Sequence, residues 1–206
     1  MNRLAAVAWY LLAAAAGAWG QVRVVTLGPC ATEHLCLLGM EKNIVGLSAH
    51  DRTDRLKGKE VVGTLLEPNI EKIASLKPDI VVASKEGNRP EIAAKLRSIG
   101  IEVFVMEEFF SFQDICNTFI SLGRRFGREA AARKIVSAER ARLDRLRTMA
   151  RQRKKPAVFF CLGWKPLVTI GGETYLDELL AAAGGRNIFA DLHRKYSPVS
   201  IEEVVR

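Results

Sequence analysis

The 206-residue sequence has no CxxC pair, no GxGxxG or GxxxxGK[ST] turn, no GxSxG and no HExxH. Those absences leave no glycine cradle for a nucleotide phosphate, no nucleophile elbow and no zinc-binding helix. A Rossmann-like oxidoreductase or hydrolase, the enzyme alternative, would need one of them. The four cysteines show no zinc spacing. Three of them, Cys36, Cys116 and Cys161, sit in apolar surroundings and read as small core residues rather than halves of a disulfide. His34, His50 and His193 are too far apart to suggest a metal trio, so no metal site is expected. The carboxylate pairs Glu107-Glu108 and Glu202-Glu203 are sequence neighbours, which point different ways on a helix and do not make an acid/base pair. Aromatics are only 7% of the chain, and none interrupts the densest basic run, Arg151 to Lys155. The net charge of +8 therefore carries no nucleic-acid signature. That run stands where a helix should end and complements its dipole.

Long apolar runs are also scarce after the first twenty residues. Arg3 precedes an apolar stretch from Leu4 to Gly17, and Ala18-Trp19-Gly20 places small residues at a signal-peptidase spacing, with Gln21 as the new N-terminus. The stretch is short of the ~20 residues that span a bilayer. No cysteine stands at the cleavage point to receive a lipid. The expectation is an exported, soluble chain of about 185 residues, enough for one large domain or two small lobes.

The remaining sequence alternates strands and helices. Val22–Leu27, Ile44–Leu47, Ile80–Ala83 and Glu102–Met106 read as buried strands. Helices are expected over 32–38, over 70–76 behind Asn69, and over 90–99 opened by Pro90. Ser111 and Asp114 open a helix to Phe126, and a run without Gly or Pro from 129 to 151 should form a helix about 35 Å long. Its apolar Ile135, Ala138, Leu143 and Leu146 suggest one narrow contact stripe. A strand over 157–162, another over 167–170, a helix over 175–183 and a capping box at Ser200 and Glu203 complete the series. The series predicts an α/β fold with parallel sheets. The divisions fall at 1–20, 21–127, 128–155 and 156–206. The last of them reads as an incomplete lobe with a bare sheet edge.

Several blocks together carry a resemblance. Val24–Pro29 with Ala31-Thr32-Glu33, Ile44–Leu47, Val62-Gly63, Asn69–Ile73, Leu76–Val81, Gly171-Gly172 with Leu179-Leu180, and Gly184–Phe189 resemble the periplasmic binding proteins for vitamin B12, iron-siderophores and haem. The resemblance covers nearly all of the chain beyond residue 20. It implies two Rossmann-like lobes joined by the long helix as a rigid connector. It further implies a monomer that captures cobalamin, or a haem or ferric-siderophore chelate, for an ABC permease with its ATPase subunits. By the same resemblance, Pro29, His50, Leu65, Trp164, Val168 and Tyr196 fall at ligand-cradle positions. Several of these are aromatic in the B12 binder but are His50, Leu65 and Val168 in this chain. Glu71 and Glu202 match the two glutamates that dock with permease arginines. From their own chemistry, both are also ordinary first-turn helix residues favoured by the dipole. A non-transport receptor or a degenerate copy on the same fold are the other readings.

Overall fold

The computed structural model describes residues 22–51 and 56–205. The leader expected over residues 1–20 and its cleavage at Gln21 lie outside the described residues. Backbone contacts divide the chain into two compact units, Met1–Met106 and Glu107–Arg206.

In the first unit five short strands form one sheet: β1 (Val24–Thr26), β2 (Ile44–Leu47), β3 (Glu60–Val61), β4 (Ile80–Ser84) and β5 (Glu102–Met106). Their order is β3-β2-β1-β4-β5, and every pairing is parallel. Parallel neighbours need crossovers, and three helices supply them: α1 (Pro29–Leu37), α2 (Ile70–Ser75) and α3 (Pro90–Ser98). Proline at the first turn opens α1 and α3, where its missing N–H costs nothing. Asn69 opens α2 by accepting the Lys72 N–H at 2.7 Å. One sheet face packs Val25, Leu27, Val81, Ala83 and Val103 against Ile73, Ala93 and Leu96 of α2 and α3. The alternate residues Val24, Ile80 and Val82 are equally buried, and α1 packs on β1 and β4. Cover on both faces is why these strands read as continuous apolar runs.

The second unit is built on helices. Ser111 and Asp114 form a reciprocal capping box at the start of α4 (Phe112–Arg125). It is followed by α5 (Glu129–Arg151), α6 (Tyr175–Ala182) and a single turn, α7 (Ile201–Val204). α5 packs along α4 and α6. The helix expected in the first lobe, α4, thus groups with the second unit. The buried stripe of α5 is Ala132, Val136, Leu143 and Ala150, so of the four residues anticipated only Leu143 is buried. Small residues decide it: a Cβ on Gly123 would come within 2.6 Å of the Ala132 Cβ, so α4 and α5 approach closely there.

The expected strand over 157–162 is divided. Its first part, β6 (Ala157–Val158), pairs in parallel with β9 (Arg186–Asn187). Its second part, β7 (Cys161–Trp164), pairs with β8 (Leu167–Ile170), which pairs in turn with β10 (Tyr196–Pro198). Both pairings of this three-stranded sheet are antiparallel, so the α/β class holds while the parallel arrangement applies to the first unit and to β6-β9 alone. Chain length is the reason: only Lys165 and Pro166 separate β7 from β8, and a connection that short permits no parallel crossover. Cys161, expected in the core, is exposed on β7, whereas Cys36 and Cys116 are buried; all four cysteines are free thiols. Among the described residues, no helix is long and apolar enough to cross a membrane.

Candidate functional site

A parallel sheet with crossovers leaves its loops at the carboxyl ends of the strands, and a crevice forms where the strand order reverses. Here the chain runs outward from β1 to β2 and β3, then returns to lay β4 and β5 on the other side, so the reversal falls between β1 and β4. The first-unit candidates follow strand ends on this edge. Pro29 follows β1 and is exposed at the first position of α1. His50 follows β2 and is exposed. Leu65 follows β3 and is half-buried.

His50 and Leu65 stand on loops tied down by hydrogen bonds. Asp51 Oδ2 accepts from the Ser48 N–H at 3.0 Å and the Ser48 hydroxyl at 2.7 Å, while the His50 N–H donates to Ser48 Oγ at 3.3 Å. The Ala49 N–H reaches the Gly63 carbonyl at 2.8 Å, which ties the loop after β2 to the loop after β3. Leu65 lies over Gly28: a Cβ there would be 2.7 Å from Leu65 Cδ2.

Beside Pro29, Cys30 is an exposed residue whose sulfur lies 3.6 Å from His34 Nδ1. Desolvation, and then the Glu86 carboxylate, push its thiol up to about 11, so it is neutral at pH 7. His34 is buried in α1, where desolvation lowers its pKa and its Nδ1 lies 2.7 Å from the Cys30 carbonyl. Among the described residues, no group of three His, Cys, Asp or Glu is placed to hold a metal ion.

The second-unit candidates share the antiparallel sheet. Tyr196 pairs with Ile170, and Val168 pairs with Pro198 and Gly163, so Val168 and Tyr196 lie on one face, two residues apart in register. Trp164 pairs with Leu167 at the end of the β7–β8 hairpin, one step out of phase with Val168, and is 73% exposed. Two residues that sequence reasoning missed stand beside Tyr196. The Lys195 ammonium lies 4.0 Å from the centroid of the half-exposed Phe110 ring and 3.4 Å from Glu108 Oε2. Only adjacency to Tyr196 could have drawn attention to Lys195, and nothing local marks Phe110.

Glu71 and Glu202 occupy corresponding places in their own units. Glu71 is in the first turn of α2, and Glu202 is in the first turn of α7 behind the Ser200–Glu203 capping box. Both are exposed, and neither carboxylate is engaged in an ion pair among the described residues. The helix dipole alone accounts for acidic residues there.

The chain has clear relatives. The family described as periplasmic binding protein matches residues 24–206. The vitamin B12-binding protein of Vibrio cholerae serotype O1 is 32% identical over 184 residues, which cover 89% of this chain and 66% of that protein. This chain therefore spans just under two thirds of the length of that curated relative. Among solved structures, the periplasmic vitamin B12 binding protein of Vibrio cholerae superposes with a TM-score of 0.75 at 32% identity, covering 89% of this chain and 72% of that one. A periplasmic heme binding protein from Pseudomonas aeruginosa superposes with a TM-score of 0.79 at 26% identity, covering 88% and 67%.

Proposed function

Because the chain belongs to the periplasmic binding protein family, we propose that it is a binding protein rather than an enzyme. It takes a metal chelate outside the cytoplasm and hands it to an ABC permease with its ATPase subunits. Cobalamin is the first choice of ligand, in line with the relatives at 32% identity, and haem or a ferric siderophore follows.

The observation that carries the reading is the strand-end edge of the first unit. It presents Pro29 at the start of α1, beside the reversal of strand order where α/β sheets take ligands, and His50 and Leu65 on the hydrogen-bonded loops after β2 and β3. These side chains suit a broad, largely apolar ligand, and His50 adds one group able to ligate a metal centre or donate a hydrogen bond. Val168, Tyr196 and the exposed Trp164 supply the corresponding surface of the second unit, with aromatic area for a flat ligand. Glu71 and Glu202 are the carboxylates for permease arginines, since each is exposed and engaged in no described ion pair.

The deciding measurement is a titration of the chain with cyanocobalamin, haemin and a ferric hydroxamate siderophore, followed by absorbance and tryptophan fluorescence. Saturable quenching by one of them, weakened in Trp164→Ala, is the expected result and names the ligand class. A cooperatively melting chain that responds to none of the three rejects the metal-chelate reading. For the docking pair, Glu71→Lys and Glu202→Lys should leave ligand affinity unchanged while abolishing stimulation of the permease ATPase. Undiminished stimulation in both would return these glutamates to plain helix-start residues.

A further inference from the structure

A sheet whose order reverses ordinarily leaves an open crevice between the two strands at the reversal. In this chain one side chain spans it. The half-buried Asn88, in the loop after β4, donates its amide N–H groups to the Leu27 carbonyl at 3.0 Å and to the Leu65 carbonyl at 2.8 Å. Its Oδ1 accepts the Ser84 N–H at 2.8 Å. Leu27 directly follows β1, Ser84 ends β4, and Leu65 belongs to the loop after β3. The three bonds therefore stitch the two strands at the reversal to a third loop, and both donors and the acceptor of the amide are used. The Leu65 side chain packs closely over the backbone of two glycines. A Cβ would come within 2.7 Å of Leu65 Cδ2 at Gly28 and within 3.2 Å at Gly87.

We propose that Asn88 is a positioning residue for ligand binding: it closes the crevice and holds Leu65 as a rigid apolar floor, so that this edge takes a broad, flat ligand face instead of a narrow inserted group. This rests on the metal-chelate reading above. Asn88 acts through Leu65. Its contribution is preorganisation, because a leucine already held in place loses little freedom when a ligand settles on it.

The test is a double-mutant cycle in the full chain. Wild type, Asn88→Ala, Leu65→Ala, the double variant and Gly87→Ala are titrated with cyanocobalamin, haemin and a ferric hydroxamate siderophore, and each is melted separately. Asn88→Ala is expected to weaken binding of the probe that wild type takes by about tenfold, the scale of one to two lost hydrogen bonds. Leu65→Ala should weaken it similarly, and the double variant should bind no worse than Leu65→Ala. A purely structural asparagine would lower the melting temperature but would give losses that multiply in the double variant. Gly87→Ala leaves the amide bonds in place and puts a Cβ 3.2 Å from Leu65 Cδ2, so the leucine methyl gives by a few tenths of an ångström and binding is expected to weaken slightly; it carries the test if Asn88→Ala does not fold. Wild-type affinity in Asn88→Ala or Gly87→Ala, or multiplying losses, overturns the proposal while leaving the binding function intact. A wild-type chain that takes none of the probes removes the metal-chelate reading and this inference together.

Discussion

In the first unit, all of β1 and the first four residues of β4 are buried, whereas β7 of the second unit exposes Cys161, Leu162 and Trp164. The segments look alike as sequence: Ile80-Val81-Val82-Ala83 and Phe159-Phe160-Cys161-Leu162 are both unbroken apolar runs. What separates them is cover. β1 and β4 lie at the centre of five parallel strands with helices packed on them, while β7 is the edge of a three-stranded antiparallel sheet. Apolar composition thus reports what a strand can bury, and its neighbours decide whether it does.

The units also differ in what joins their elements. Residues 129–155 carry ten Lys and Arg and three Asp and Glu, a net +7 within a chain of net +8. The helices of the second unit carry ion pairs in addition to their packed apolar faces. Glu129 accepts from Arg124 and Arg133, and Glu178 accepts from Arg147 and from the Phe112 N–H at the start of α4. In the first unit the work falls to the apolar cluster around Val25, Ile73, Val81 and Leu96.

The largest expected effect is on that core. Leu96→Ala should cost about 2–5 kcal/mol in urea titration, since the side chain is fully buried. Leu162→Ala, at a residue 46% exposed, should cost less than about 0.5 kcal/mol. Equal costs would break the comparison and mean that β7 is covered. Next comes Glu178→Ala, which strips an acceptor from both α4 and α5. Its side chain is 31% exposed, so the loss should be about 1 kcal/mol after solvent screening, and smaller in high salt. A loss insensitive to salt would show that packing, not charge, joins these helices.

Cysteine chemistry sharpens the contrast without touching stability. Iodoacetamide at pH 7 should label exposed Cys161 and spare the buried Cys36 and Cys116. Cys30, with its thiol raised to about 11, should react slowly at pH 7 and faster at every step toward that value, because the thiolate is the nucleophile. Cys30 labelling already at its maximum by pH 8 would refute the desolvated environment at the start of α1. The smallest effect belongs to Glu129, whose carboxyl is held down at about 2 by Arg124 first and Arg133 second. A depressed carboxyl stabilises above its ordinary pKa of 4.5 and loses that contribution as pH falls toward 2. Glu129→Gln should therefore lower the melting temperature slightly at pH 7, with the difference shrinking as pH falls through about 2. A pH-independent shift would show that the link between α4 and α5 is not ionic.

Much of the first unit was legible because its signals are local. Asn69 and Pro90 mark helix starts, and Val22–Leu27 and Ile80–Ala83 mark strands, without reference to anything distant; the first helix, expected from Thr32, begins at Pro29 instead. The capping boxes at Ser111 and Ser200 were legible for the same reason. The division of 157–162 into β6 and β7 was not, because it depends on partners at 186–187 and 167–170 that no local pattern names. Leu143 is legible in the buried stripe of α5, but Ala132 and Ala150 are not: a small residue is chosen by how closely another segment approaches, Gly123 at Ala132 and Gly184 at Ala150.

The candidate site divides along the same line. Its members Pro29, His50 and Leu65 came from the family resemblance, and the strand that Leu65 follows, β3, carries no local signal in two exposed residues. Asn88 carries none either, because an asparagine before a helix reads as a turn residue until Leu27, Leu65 and Ser84 are brought around it.

By itself the sequence determined the helices and the strands of the central parallel sheet, β1, β2, β4 and β5, since caps, prolines and apolar runs act within a few residues of where they stand. It also determined the concentration of positive charge along α5. Only the tertiary structure decided which apolar strands are covered, which small residues are buried, and that one amide bridges the reversal between β1 and β4. Those outcomes depend on groups as many as 61 residues apart, as Asn88 and Leu27 are. A hydrogen bond has no signature in either partner until the chain brings both together.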